Sequence, residues 1–413
     1  MLLHAQLIGL SHSNQVTLVT GRGDEPWEAA AAAECHRWAD HVYIADRRRP
    51  AEAGPRLRRR AVLAGRWATS RVPWRNLWFC PPALQAEVDR ALSELSFDVV
   101  AVEDSAMARV RLPPDLPVVL TDHEVVRAPE GAPSASGPAA KAPATGRSAS
   151  PSRPSLGTTI RSRLLAADSR RAEHFQASIW DRYQRVQVFT PEEADAITRL
   201  APHVASRVRV NPFGIEIPTA CEPAREVQDS VLFVGNFTHP PNRDAAHWLA
   251  AEIMPLVWRE RPAARLRLVG SDPPPDVMAL ASARIEVLAN VPDTDPYLES
   301  AAVCVAPVRL GGGMRVKVLT ALARGKAVVT TSRGAQGFAR SEDEPAMLIS
   351  DDASGLAAAL VRVLGAPELR RALGERGRSL SAENHSPEAW AARLQRVYAE
   401  VVQTNSSVAE FAT

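Results

Sequence analysis

Two short runs constrain this chain more than any other feature: VLFV at Val231–Val234 and AVCVAPV at Ala302–Val308. Consecutive residues of a strand point to opposite faces, so runs apolar at every position demand burial on both sides. Parallel sheets sandwiched between helix layers provide that environment. Further β-rich runs are read at Gln15–Val19, His41–Ala45, Phe97–Val102, Val118–Thr121 and Val186–Phe189, with helical stretches between them. A second series follows at Ser230–Val234, Arg265–Val269, Ile285–Leu288, Val303–Pro307, Ala327–Thr331 and Ala346–Ile349. Strand, helix, strand in repetition predicts an α/β architecture of two Rossmann-like, doubly wound domains. The length agrees, since 413 residues exceed what one ordinary core accommodates.

Helix punctuation supports the alternation. Thr190, Pro191 and Glu193 form a capping-box start. Ser386 and Pro387 open a last helix whose Trp390, Leu394, Val397, Tyr398 and Val401 make one apolar stripe. Residues 1–212 are expected to form the first domain and 213–385 the second, with 386–413 crossing back to the first and ending in a tail. The stretch 128–157 is rich in Pro, Ala, Ser and Gly and has one large apolar residue, so it reads as a disordered insertion. The start is unusual. LLHAQLIGLSHSNQ looks like a helix and leads into the strand QVTLV, whereas a doubly wound domain normally opens with a strand. The first strand of the N-terminal domain therefore reads as absent, so either the start lies upstream of Met1 or the domain is incomplete.

Composition excludes several classes. Charged residues are 23% of the chain and the formal net charge is +2, so no whole-molecule field points to nucleic acid. Cys35, Cys80, Cys221 and Cys304 fit no metal-ligand or redox spacing, and read as reduced thiols. No apolar run reaches the ~20 residues a membrane-spanning helix needs. A signal-peptide pattern is missing, so the cytoplasm is the simplest address.

The clearest chemical signal is RLGGGMRVKVLTALARG, Arg309–Gly325, a loop and helix directly after the strand AVCVAPV. Helix N-termini carry unpaired N–H groups and partial positive charge, which hold anions. Glycines permit close approach, and Arg315 and Lys317 add cations suited to phosphate. Taken alone, such a loop is equally a tight turn flanked by solvated basic residues.

Its neighbours in sequence narrow the choice. SVLFVGNFTHPPNRDAAHWL, RLRLVGSDPPPDV, IEVLANVPDTDPYLESAAVCVAPV, the glycine loop and GKAVVTTSRGAQGF follow one another from Ser230 to Phe338. This succession resembles the nucleotide-sugar-binding half of GT-B-fold glycosyltransferases, most closely the retaining group 1, or family 4, members. The resemblance is close from Ser230 to Ala339 and loose over most of the chain.

The resemblance implies a donor site. Asn290 and Val291 correspond to the stretch that pairs with the nucleobase, and Gly312, Gly313 and Met314 to the loop cradling the diphosphate. Arg315 and Lys317 are implied phosphate partners, as are Gly235, Asn236 and Arg243 at the other loop. Each of these also reads as an ordinary turn or surface residue. Thr320 departs from the pattern, because the family helix usually carries a Glu there that accepts hydrogen bonds from ribose hydroxyls. The family's other Glu, eight residues earlier, is Gly312 here. VVLTDHEVVR resembles the strand end that brings a histidine to the cleft. His123 is then the candidate beside the transferred sugar, with Asp122 orienting it, against the plain reading of a satisfied strand-end histidine.

The stretch 47–79 mixes ten arginines with Trp67, Trp74, Trp78 and Phe79. That composition suits anionic lipid or a phosphate-bearing acceptor, or equally a pair of solvated helices. The expectation is a cytoplasmic glycosyltransferase, peripheral to the inner membrane face through 47–79, that moves a sugar with retention from a nucleotide diphosphate sugar. The acceptor class is a polysaccharide precursor, a lipid-linked species or a natural product. No metal or other cofactor is expected, and no nucleic acid. The alternative is a degenerate GT-B protein that binds nucleotide or sugar polymer without turnover. An epimerase of the same architecture lacks an acid/base set, and no GxGxxG supports a dinucleotide oxidoreductase.

Overall fold

The structure is a computed structural model that describes residues 2–23, 26–48, 53–125, 156–219, 226–338 and 344–411. Twelve strands are found among these: β1 Thr17–Arg22, β2 His41–Asp46, β3 Val100–Glu103, β4 Val118–Thr121, β5 Arg185–Val188 and β6 Val208–Val210, then β7 Ser230–Val234, β8 Arg265–Gly270, β9 Ile285–Ala289, β10 Val303–Ala306, β11 Val328–Thr330 and β12 Leu348–Ile349. Each expected run has a strand, shifted by up to three residues. The expectation omits β6, whose three residues VRV give too short a period to read.

All pairings within the sheets are parallel. The C-terminal sheet runs β12-β11-β10-β7-β8-β9 without interruption. Neighbouring residues serve opposite faces. Phe233 packs with Trp248, Leu249 and Leu360, while Leu232 packs with Val318 and Leu322 behind the glycine loop. In the N-terminal half the strands form two separate sheets, β1-β2 and β3-β4-β5-β6.

The core behind Val318 also takes in Phe189, Phe213, Trp390 and Leu394, so one apolar cluster joins the halves. The chain crosses between them twice at one place. Ile215 N–H donates to the His385 carbonyl (2.8 Å), and Arg393 donates to Asn211 Oδ1 and the Pro212 carbonyl. The C-terminal helix Pro387–Phe411 then lies along the first helix, Leu2–Ser11, and Glu400 near its end receives Arg185 and Arg209. Its buried stripe is Trp390, Leu394, Val397 and Val401, as the sequence pattern requires.

The Pro/Ser/Gly-rich insertion lies outside the described residues up to position 155. Leu156 and Gly157, expected to belong to it, instead open the helix Leu156–Ile179. Cys221 also lies outside the described residues.

Candidate functional site

The order of the C-terminal sheet reverses at β7, with β8 and β9 built out to one side and β10, β11 and β12 to the other. Loops leaving the carboxyl ends of β7 and β10 therefore diverge and open a crevice, the place where open parallel sheets bind ligands. Gly235 follows β7 and Gly311–Gly313 follow β10, so the glycines flagged in the sequence stand at the switch point.

Backbone packing sets this crevice. A Cβ on Gly270 would lie 1.7 Å from the Gly235 carbonyl oxygen, so β8 passes the first loop at a distance only glycine allows. Gly311 and Gly313 have φ of 81° and 76°, the left-handed region, which turns the loop into the helix Val316–Ala323. That helix has no side-chain N-cap and no acid in its first turn, so its leading N–H groups face the crevice without an internal anion of their own helix.

Lys317 is the central cation. Its Nζ donates to Asn242 Oδ1 and sits 4.5 Å from the centroid of the Phe233 ring. Burial, with the Arg315 charge adding to it, pushes the amine down to about 7. Arg315 is depressed by burial as well, opposed by Glu124. It donates one bond to the Leu310 carbonyl, and its Nε has no partner among the described residues. Two part-buried cations with unspent donors make a site that an anion would stabilise.

The remaining donor-side candidates fall into two groups. Asn236 closes its own loop, accepting from the Thr238 N–H and hydroxyl, while Asn242 donates to its carbonyl. Asn290 follows β9 at φ 52°, donates its N–H to the Gly270 carbonyl and accepts at its Oδ1 from the Asp272 N–H. Val291 packs partly buried against the core behind the helix, and Met314 is buried there against Gly337. Thr320 is partly buried on that helix. Arg243 is engaged elsewhere, its guanidinium held by Asp276 at 2.6 Å alongside His247.

The N-terminal half meets the glycine loop with the turn after β4. His123 Nε2 lies 3.1 Å from Glu103 Oε2, and its ring packs on Phe189. Burial pulls the imidazole down, but the Glu103 bond and the charges of Glu103, Asp104 and Asp122 together raise it above its ordinary value. The expectation that Asp122 orients this ring is corrected. Asp122 turns inward, accepts from Gln176 and Trp180, and is pushed up to about 6 by burial. The residue holding His123 is Glu103, which the sequence displays only as the end of the strand VVAVE.

Two more carboxylates reach the loop. Glu124 Oε1 accepts from Gly312 N–H at 3.4 Å. Glu193, from the capping box, accepts from Val125 N–H and the Thr190 hydroxyl, and burial pushes it up to about 7. A Cβ on Gly313 would lie 3.5 Å from Glu193 Oε1 and 3.3 Å from the His123 carbonyl. Acids from one half thus confront cations and N–H groups of the other.

In the stretch 47–79, Trp67 and Phe79 are engaged internally. Trp67 donates to Asp168 and carries Arg171 at 4.1 Å, and Phe79 is flanked by Arg47 and Arg75. Trp74 is exposed. Among the described residues no helix is long and apolar enough to cross a membrane.

Residues 228–366 match the family model described as glycosyl transferases group 1. Solved structures show a likeness of fold over most of the chain. Sucrose-phosphate synthase from Thermosynechococcus elongatus superposes with a TM-score of 0.62 at 16% identity, covering 96% of this chain and 98% of that one. This is the GT-B fold. The Anabaena protein HepE, solved with UDP and glucose, gives 0.61 at 10% identity, over 96% and 94% of the two chains. TarM gives 0.55 at 12% identity over 76% of this chain, which spans 58% of TarM's length. A search of curated proteins finds no match to the sequence. The GT-B chain described here therefore carries its group 1 likeness in the half that holds the switch-point crevice.

Proposed function

We propose that the chain transfers a sugar, with retention, from a nucleotide diphosphate sugar to a polysaccharide-precursor, lipid-linked or natural-product acceptor. The observation that carries the reading is the crevice at β7 and β10. There Lys317, Arg315 and the Gly312–Gly313 amides form an anion site facing His123 across the cleft. In this reading Lys317 and the loop amides hold the diphosphate and offset the charge developing on it as the glycosidic bond breaks. Asn290 and Val291, at the end of β9, flank the nucleobase. His123, fixed by Glu103, hydrogen-bonds the sugar or acceptor, and no metal is invoked. The chain crossing at Asn211–Ile215 and His385–Arg393 is the hinge on which the cleft closes to exclude water.

The reaction is placed in the cytoplasm. The 47–79 stretch, with exposed Trp74 and its arginines, is the side offered to an anionic membrane or acceptor. Purified protein incubated with a panel of nucleotide sugars is expected to show thermal stabilisation and slow hydrolysis with one of them. No response to any donor would reject the reading.

Thr320 favours a second reading, a binding protein without turnover, because its short neutral side chain reaches a ribose only through water. Thr320→Glu discriminates the two. A gain in donor affinity of about tenfold, the worth of one charge-assisted hydrogen bond, would mean that the ribose pocket persists.

A further inference from the structure

Three arginines gather around one cavity of the N-terminal half without a matching set of acids. The cavity, of about 270 Å³, is lined by Arg66, Arg109 and Arg111, with Cys80, Gln85 and Asp89. Arg66 comes from the end of the helix Ala53–Thr69 and Gln85 from near the start of the helix Pro82–Glu94, while Arg109 and Arg111 follow the turn after β3. Among the described residues none of the three guanidinium groups has a hydrogen-bond or ion-pair partner. Asp89 is the one carboxylate among the described lining residues, and Gln85 Nε2 already donates to it at 2.7 Å. Arg109 is part-buried and is held below the ordinary guanidinium value, by burial first and the Arg66 charge second. Like charges drawn together without compensation repel, so the stability of the fold does not ask for this grouping. A second arginine-lined cavity, of about 420 Å³ beside Ala302 and Ala327, shows the contrast. There Arg324 meets Asp295, Arg370 meets Glu226 and Arg371 meets Glu368. The backbone carrying the unpaired groups is nevertheless fixed. Gln85 accepts from the Arg111 N–H at 2.8 Å and donates to its carbonyl at 3.0 Å, and Arg182 donates to the Ala108 carbonyl at 2.9 Å.

We propose that this cavity binds a phosphoryl group, as a phosphomonoester or a diphosphate, carried by a small soluble molecule or by a lipid headgroup. Guanidinium groups present planar forks of N–H donors that match phosphate oxygens, and each such bond is charge-assisted. Three cations against one carboxylate leave a surplus of two charges, which a phosphate dianion neutralises and a single carboxylate does not. Volume sets the size of the ligand. About 270 Å³ is below the ~300–1,000 Å³ of clefts that enclose drug-sized ligands, so the cavity takes a headgroup and not a whole nucleotide. Its lining comes from the N-terminal half alone, so it depends neither on the donor crevice nor on turnover.

Calorimetric titration with sodium pyrophosphate, run on the Lys317→Met chain so that the crevice contributes little, should show saturable binding. Arg109→Gln with Arg111→Gln in that chain should weaken it at least about tenfold, and Arg66→Gln alone about threefold. Arg259→Gln, at an exposed arginine of the other half, should change nothing. Urea unfolding separates binding from a merely structural role. In chloride buffer Arg109→Gln should leave the midpoint unchanged or higher, and phosphate at equal ionic strength should raise the parent's midpoint more than the variant's. Vesicles of phosphatidylcholine with and without phosphatidic acid distinguish the two sources. Flotation with phosphatidic acid that the double variant loses assigns the phosphoryl group to a lipid, and pyrophosphate binding without such flotation assigns it to a soluble ligand. Pyrophosphate binding undiminished in the double variant, an equal loss in Arg259→Gln, or the absence of both pyrophosphate binding and variant-sensitive flotation would overturn the proposal. So would an Arg109→Gln midpoint lowered equally in both buffers.

Discussion

The two halves share an architecture but differ in how their sheets are completed. The C-terminal sheet is six strands without a break, and its site geometry is set by backbone against backbone, as where Gly270 passes Gly235. The N-terminal strands are split, and the groups they present are positioned by side chains: Glu103 on His123, Gln176 and Trp180 on Asp122. One half is shaped by close backbone packing, while the other depends on side-chain hydrogen bonds. Gly270→Ala attacks the first kind of control. The new Cβ cannot coexist with the Gly235 carbonyl, so the β7 loop must move. Overpacking of this kind costs roughly 1–3 kcal/mol, read as a lowered urea midpoint, and donor binding should vanish by calorimetry. Unchanged donor affinity would mean that the loop does not shape the site.

Lys317→Met attacks the charge and leaves the backbone alone. Loss of a part-buried cation from an anion site should weaken UDP binding by about 10- to 100-fold with little change in fold. Its pH dependence is equally informative. The free amine titrates at about 7, and a bound diphosphate must raise it. Affinity should therefore be greatest below pH 7 and fall as pH rises, with proton uptake on binding near neutrality. Calorimetry in buffers of different ionisation enthalpy measures that uptake, which the Met variant should lack.

The same difference explains what was legible in the sequence. The switch-point half could be read because its determinants are local: apolar runs for buried strands, glycines for left-handed φ, a lysine in the first turn of a helix. Lys317 and Gly313 stand out in the sequence as part of a glycine loop directly after a buried strand, but only the family resemblance, not spacing, points them to a diphosphate. Glu103, Glu124 and Glu193 could not be placed, since each acts across a sequence gap of 20, 188 or 68 residues. Asp122 was misassigned for the same reason, because adjacency to His123 in sequence says nothing of a side chain that turns into the core.

Glu124→Gln tests whether the N-terminal half intrudes on the donor loop. The carboxylate accepts from Gly312 N–H, where the reading above places a diphosphate, and two anions cannot share that amide. Neutralising it should tighten UDP binding about threefold, the scale of a weak exposed electrostatic contact. Weaker binding in the Gln variant would instead make Glu124 part of the donor site.

The smallest expected effect separates the halves by the sign of their pH dependence. His385 at the chain crossing donates to the Phe213 carbonyl, and burial lowers it from 6.5 to about 4. The unfolded chain then binds more protons between those values, so this contribution is complete above pH 6.5 and is lost as pH falls towards 4. Glu193 and Asp122 act oppositely. Burial raises them, from 4.5 to about 7 and from 3.8 to about 6, so their contribution is complete at low pH and is lost as pH rises through those values. Two carboxyls oppose one imidazole between pH 4.5 and 6, so the imidazole offsets only part of their slope and urea stability of the unaltered chain should fall with rising pH there. His385→Phe should steepen that fall, and Glu193→Gln should flatten it, because His385 and Asp122 then oppose each other one for one. Each substitution also shifts the overall level, so the readout is the slope. Parallel slopes in the two variants would mean that neither group titrates as its burial requires.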